Sequence, residues 1–235
     1  MSPDSLTGRG LGGAGAAPAP RRSRLDRRLL GLAAALVALL LLNALVTPNF
    51  LNLQTLAVNA SQVATIAIVA LGMTLVIATG GIDLSVGAVM AMAGAIAPLV
   101  FGSAWGLANP GLGLAASILL PLLAAAACGL FNGSLVAFLG VQPIIATLIL
   151  FISGRGIALV LTNGNLQTFQ NPDFTWLGTG RLLGLPVQGW IALALTLLVA
   201  LVVRRTIYGR YLLAIGGNER ASELAGVPVR RVKIW

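Results

Sequence analysis

Histidine is absent from this chain and lysine occurs once, as Lys233. The first absence removes the commonest general base, proton switch and zinc ligand together, and with them a metal site of the usual kind. The second excludes a phosphate-binding G-x-x-x-x-G-K-[ST] loop, because Lys233 stands between Val232 and Ile234. Any ATP must therefore be bound by another polypeptide. The one cysteine, Cys128, lies in an apolar run, which rules out a disulfide framework and a cysteine metal cluster and leaves small-residue packing as its role. Charge is scarce as well. Only 9% of residues are charged and 57% are hydrophobic, whereas soluble domains carry roughly 25% charged residues. The net charge of +9 does not point to nucleic acid, because thirteen of the fifteen Lys and Arg sit in two terminal blocks with no aromatic-rich basic patch beside them.

What the chain has instead is apolar length. Residues 1–20 are rich in Gly, Ala and Pro without an apolar period, so they cannot bury enough surface to offset their ordering entropy. Residues 1–28 are expected to form a disordered, basic, cytoplasmic N-terminus. The apolar run 29–46 follows directly. It is longer than a signal-peptide core of roughly 7 to 15 residues, and no small-x-small cleavage site precedes Pro48, so it reads as a retained anchor. Further runs at 58–78, 84–101, 112–139, 143–161 and 187–203 approach the roughly 20 residues that a helix needs to cross a bilayer. They are apolar all round and carry Gly, Ala, Ser and Thr, which permit close helix approach. The expectation is an all-α, polytopic transmembrane protein with about six membrane helices over 29–203. The run 112–139 exceeds one straight span, so it tilts or its ends are drawn too wide.

Charge placement sets the orientation. The block Arg21 to Arg28 puts the N-terminus in the cytoplasm, and six crossings return Arg204, Arg205, Arg210, Arg220, Arg230, Arg231 and Lys233 to the same side. The stretches 47–53 and 102–111 lack Lys and Arg, and 162–186 holds only Arg181, so these face outward, with Trp105, Trp176 and Trp190 near the outer interface.

Gly80-Gly81-Ile82-Asp83-Leu84-Ser85-Val86-Gly87 interrupts two apolar runs and holds the only carboxylate between Asp26 and Asp173. One reading is a tight turn, in which the glycines end one helix and Asp83 or Ser85 caps the next. The other is a broken helix lining a transport path, where irregular backbone at membrane depth is tolerated beside protein or water. Arg155 is the one basic residue inside a predicted span. It either lies past the midplane and snorkels, or pairs with Asp83 or faces the pathway, in which case Arg155→Leu impairs transport without impairing insertion. Asn132, Gln142 and Thr147 stand in or beside apolar runs, where polar side chains usually bond between helices. Together Gly80, Gly81, Asp83, Ser85, Asn132, Gln142, Thr147 and Arg155 are the candidate pathway residues.

After the last apolar run, residues 204–235 form a polar segment. Asn218 is a plausible N-cap, Glu219 lies in the first turn where it favours the helix dipole, and Gly226 with Pro228 supplies the stop. This predicts a helix of about two turns with Ala221, Leu224 and Ala225 on an apolar side. So short a helix is marginal alone and needs a partner or its own membrane domain to hold it. Spacing alone favours a juxtamembrane helix on anionic headgroups.

The run Leu71-Gly72-Met73-Thr74-Leu75-Val76-Ile77-Ala78-Thr79-Gly80-Gly81-Ile82-Asp83-Leu84-Ser85-Val86-Gly87 resembles the signature of the permeases of ribose, xylose and galactofuranose-type bacterial ABC importers, nearest the galactofuranose branch. Gln142-Pro143 with Ala146-Thr147-Leu148, Ser153-Gly154-Arg155-Gly156 and Gly217-Asn218 to Gly226-Val227 are similar to the same family in the same order. The resemblance covers about residues 25–235. It implies a multi-pass subunit of the bacterial inner membrane that carries a monosaccharide and does no covalent chemistry, with no cofactor of its own. It further implies an ATPase subunit that holds ATP and Mg, a second permease subunit (identical or not) and a periplasmic sugar-binding protein. The segment matching Gly217 to Val227 looks like the coupling helix that docks on the ATPase: Asn218, Ala221, Ser222 and Gly226 occupy motif positions, while Glu219, Arg220 and Glu223 are this chain's own charged choices. Family members continue past this point with further membrane helices, so the chain is expected to be C-terminally truncated. The alternatives are an ion-coupled secondary transporter using Asp83, a passive membrane scaffold, and a related permease for nucleosides or branched-chain amino acids.

Overall fold

The computed structural model describes residues 27–48 and 50–234, with side chains from Leu30 onward. The expected disordered N-terminus lies outside the described residues as far as Asp26; Arg27 and Arg28 already belong to the first helix. The chain divides into two units after Asn52. The first holds α1 (Arg27–Val46), a 20-residue helix of Leu, Ala and Val whose side chains are exposed around nearly its whole circumference. Asn43 near its end donates to its own Leu39 carbonyl, so this polar side chain is satisfied within the helix.

The second unit contains everything else. Its elements are α2 (Leu53–Ala78), α3 (Val86–Phe101), α4 (Ala104–Ala108), α5 (Pro110–Leu139), α6 (Pro143–Leu161), α7 (Pro172–Thr179), a hairpin of β1 (Arg181–Leu182) and β2 (Leu185–Pro186), then α8 (Val187–Arg205), α9 (Ile207–Gly217), α10 (Glu219–Leu224) and α11 (Val229–Ile234). All six apolar runs are helical, save Leu84 and Ser85, which precede α3. Four of these helices, α2, α5, α6 and α8, are long and apolar enough to cross a membrane, with hydropathies of 2.0 to 2.3, and α3 and the apolar part of α1 are shorter. The chain is an all-α polytopic membrane protein. The hairpin is its one departure among the described residues, a two-residue pairing whose turn residues Leu183 and Gly184 both have positive φ, as a right-handed twist demands of the tightest turns. Trp190 of α8 ties it down by donating from Nε1 to the Leu182 carbonyl at 2.9 Å.

The shortest of these helices in the second unit sits at its centre. α3 has 16 residues, about 24 Å at 1.5 Å per residue, and packs against both α5 and α6. Its small residues make this possible: Ala88, Ala95 and Ala97 are buried, and Gly154 of α6 lies where a Cβ would press on Ala88 and Met92. Without a hydrophobic drive between helices in lipid, such close packing is what holds them. At its far end Phe101 stacks on Phe169, and Phe169 on Phe174 of α7, at 4.8 and 4.7 Å between centroids.

The long run at 112–139 is one helix. α5 starts at Pro110, runs 30 residues and holds Pro121 inside it, about 45 Å in all. Its first turn meets α4 so closely that a Cβ on Gly113 would strike the backbone of Gly106. α2 likewise begins earlier than its apolar run, at Leu53, because Gln54 and Thr55 join the helix despite their polarity. Beyond α8 the chain turns a corner at Thr206 into α9, which the hydropathy pattern does not reveal. α9 packs on α2 and α8, and its Ile215 joins Val229 and Val232 of α11 in a small apolar core with Tyr208, Tyr211 and Val227 around it.

Candidate functional site

α2 ends in a left-handed glycine. Gly80 has φ +80°, its amide donates to Ile77, and the amide of Gly81 reaches back to Val76 at 3.2 Å. This paired closure satisfies the last carbonyls of α2 and needs a residue without Cβ strain. Residues 81–85 then run without regular structure until Val86 opens α3. The glycines therefore end α2 as the turn reading expects.

Capping takes a different form from the one expected. Ser85 holds the N-cap position of α3, but its side chain bonds no α3 amide. Instead Asp83 Oδ1 accepts from the Ser85 amide at 2.8 Å and from the Ser85 hydroxyl at 2.6 Å, a local turn of the kind that short carboxylates favour. Since a hydroxyl has one proton, Ser85 Oγ is left as an acceptor. Asn132 Nδ2 of α5 donates to it across 3.4 Å, both residues being buried. This chain of donors fixes the amide: its NH₂ faces Ser85, and its Oδ1 is left buried with no partner. On the other side Thr147 of α6 is buried and donates chiefly to Pro143, at 2.8 Å, with a longer 3.4 Å contact to the Ile82 carbonyl.

These groups surround a cavity of about 370 Å³, within the roughly 300 to 1,000 Å³ of small-molecule sites. Gly80, Gly81, Asp83, Asn132 and Thr147 line it, so five of the eight candidate pathway residues meet at one place, and Ser85 stands behind them. Gln142 and Arg155 do not. Gln142 is exposed at the N-cap of α6 and makes no side-chain cap bond. Arg155 is exposed farther along α6 and has no ion pair among the described residues. The suggested pairing of Arg155 with Asp83 is thus not formed: the carboxylate folds back on Ser85.

The opposite wall of the cavity comes from the C-terminal segment. Tyr208 of α9, Glu219 of α10 and Lys233 of α11 line it. Lys233 Nζ donates to Glu219 Oε1 at 2.6 Å, and burial raises the phenol of half-buried Tyr208 above its ordinary value. Sequence reasoning used Lys233 to exclude a phosphate loop and to set the orientation, and did not place Tyr208. The available signal was that the two tyrosines, Tyr208 and Tyr211, are three residues apart on what proves to be an amphipathic helix.

α10 forms as its sequence indicates. Asn218 Oδ1 accepts from the Ala221 amide at 2.9 Å. Gly226, at φ +83°, closes the far end with the same paired bonds seen at Gly80: Gly226 to Glu223 and Val227 to Ser222. Ser222 is buried, its hydroxyl donating to the Asn218 carbonyl. Glu219, Arg220, Ala221, Glu223, Leu224 and Ala225 are exposed, with Arg220 pairing Glu223 on the surface. The motif residues Asn218, Ser222 and Gly226 thus build the helix, and the residues between them face outward.

A second groove of about 410 Å³ lies at the other end of α2, between Ser61, Gln62 and Thr65 and the Arg181 and Gln188 region. The sequence reading did not single out these residues as a site.

The segment that joins α2 to α3 thus borders a cavity inside an all-α membrane protein. The chain belongs to the family described as the permease component of branched-chain amino acid transport systems, whose model matches residues 55–235. It is similar to the galactofuranose transporter permease protein of Escherichia coli (strain K12), 44% identical over 83% of this chain and 58% of that protein. The ribose import permease protein of the same strain is 41% identical over 85% of this chain and 62% of that protein. The fructose import permease protein of Bifidobacterium longum (strain NCC 2705) is 41% identical over 70% and 45%. The chain thus spans about three-fifths of the length of the first two relatives, and less of the third. No solved structure matches it.

Proposed function

We propose that this chain is the membrane-spanning part of a permease subunit of an ATP-binding-cassette importer that carries a monosaccharide of the ribose, xylose or galactofuranose type into a bacterial cell. The observation that carries this reading is the 44% identity with a galactofuranose permease across 83% of the chain. It does no covalent chemistry. ATP and Mg belong to a separate ATPase, a second permease subunit completes the path, and a periplasmic binding protein delivers the sugar at the inner membrane. Both termini of the chain lie in the cytoplasm. α10 is the surface that meets the ATPase, through Glu219, Arg220, Ala221 and Glu223, with Asn218, Ser222 and Gly226 keeping it folded. Leu224, 77% exposed, gives that surface its apolar contact.

The geometry supports a route for the coupling. α10 is tied to α11 by Glu219 and Lys233, and both residues wall the cavity at the helix break. A displacement of α10 therefore reaches Gly80, Gly81 and Asp83 directly. The energy for the switch is the difference in how nucleotide-loaded ATPase binds two permease states.

Reconstitution with the ATPase and binding protein in liposomes tests this. ATP-dependent uptake of a pentose or hexose is expected, together with crosslinking of Leu224→Cys to the ATPase. Uptake driven by an ion gradient without ATPase overturns the importer reading in favour of a secondary transporter. ATP-dependent uptake of L-leucine in place of sugar overturns the substrate class.

A further inference from the structure

Asn132 is the one buried side chain among the described residues whose polar atom lacks a partner. A buried acceptor left unpaired costs on the order of 1 to 3 kcal/mol, so such atoms are rare and mark unfinished bonding. Its orientation is not arbitrary. The Ser85 hydroxyl donates to Asp83 Oδ1, so Ser85 Oγ is left to accept, and Asn132 offers it Nδ2 and turns Oδ1 away. The residue that carries this orphan acceptor lines the cavity, 6% exposed, together with Asp83 and Thr147. Thr147 spends its proton on its own helix. The Asn132 carbonyl is therefore the buried acceptor left unspent on a residue of the cavity wall, and it fits a hydroxyl donor.

We propose that Asn132 Oδ1 receives a hydroxyl of the carried polyol, held in register by the Asp83–Ser85 relay behind it. This rests on the importer reading above and names the recognising atom within it. Less than 1 Å² of Oδ1 is exposed, so an arriving hydroxyl must part the wall. Gly80, Gly81 and Gly129 line the cavity without side chains that would lock it. A water could satisfy the same acceptor, and the two sources differ in one respect: only a sugar hydroxyl makes Asn132 sensitive to which hydroxyl the substrate lacks. A site that spends a buried acceptor on a hydroxyl rejects the analogue without it.

The test is uptake by the permease assembled with its ATPase and binding protein, using D-ribose, D-galactose and D-fructose and the monodeoxy analogues of whichever is carried. The native assembly should take up one monodeoxy analogue about tenfold less well than its parent, the effect of one hydrogen bond to a buried group. Asn132→Leu should take up parent and that analogue equally, both at the analogue's lower rate. If Asn132→Leu lowers all sugars by one factor and keeps the native discrimination, the partner is water or the role is packing, and the proposal fails. Should that variant not accumulate in the membrane, Ser85→Ala carries the test, since it removes only the group that orients the amide: diminished discrimination supports the relay, and native discrimination overturns it. Absence of ATP-dependent uptake by the native assembly removes the importer reading itself, whereas uptake without any parent–analogue difference removes the hydroxyl contact alone.

Discussion

Gly216 of α9 rests on the carbonyl of Ala78, the last residue of α2, so closely that a Cβ at Gly216 would collide with that oxygen. The end of α9 is thereby seated on the end of α2, two residues before Gly80. Gly216→Ala is expected to destabilise the chain by about 1 to 3 kcal/mol, the usual cost of forcing an added methyl into a packed site. Gly217 has open space around it, and Gly217→Ala should stay within about 0.5 kcal/mol of native. Thermal unfolding in detergent compares the two. Equal midpoints would mean that the junction yields freely.

Gly80 and Gly226 present the opposite situation. Both have open space but positive φ, +80° and +83°, so the cost of a side chain is in the backbone alone. Gly226→Ala should lose about 1 to 2 kcal/mol, and Gly226→Asn should recover part of it, because Asn tolerates the left-handed region. Amide exchange at Val227, which bonds Ser222 across the cap, reads the effect locally. Faster exchange in Ala than in Asn is the expected order.

The comparison of sequence and structure separates by physical cause. Apolar length is a local property, so the six apolar helices were legible in runs of Leu, Ala, Val and Ile. So were the stops at Gly80 and Gly226 and the cap at Asn218, because each depends on one residue's backbone preference or side-chain reach. α9 was not legible: its register against α2 depends on Gly216 meeting Ala78, a contact between residues far apart in the chain. For the same reason five pathway candidates could be named separately, while their meeting with Tyr208, Glu219 and Lys233 in one cavity could not. Asp83 shows the limit most plainly. Its place before a helix suggested a cap, and only the fold revealed that Ser85 intercepts it and passes the bond to Asn132.

Arg155 lies exposed on α6 and has no ion pair among the described residues. Arg155→Leu should therefore reach the membrane at normal abundance and keep uptake within about twofold, as for surface changes of under about 0.5 kcal/mol. Immunoblotting of membranes beside an uptake assay checks both halves. A tenfold fall in uptake at unchanged abundance would return Arg155 to the pathway.

Two ion pairs in the C-terminal segment share a length of 2.6 Å and differ in setting. Arg220 and Glu223 have side chains 77% and 54% exposed, while Lys233, paired with Glu219, is 18% exposed. Exposed pairs contribute little, with a median of about 0 to 1 kcal/mol, because solvent screens them and ordering two long side chains costs entropy. Screening is weaker around Lys233, and its pair joins α10 to α11 where the other stays within α10. A double-mutant cycle of Glu219→Gln and Lys233→Met should give a coupling of about 0.5 to 1 kcal/mol, with Arg220→Gln and Glu223→Gln nearer zero. Added salt should shrink the second coupling faster than the first. If the two couplings prove equal, charge does not hold α10 against the cavity wall, and the apolar contacts of Ile215 with Val229 and Val232 must hold the segment together.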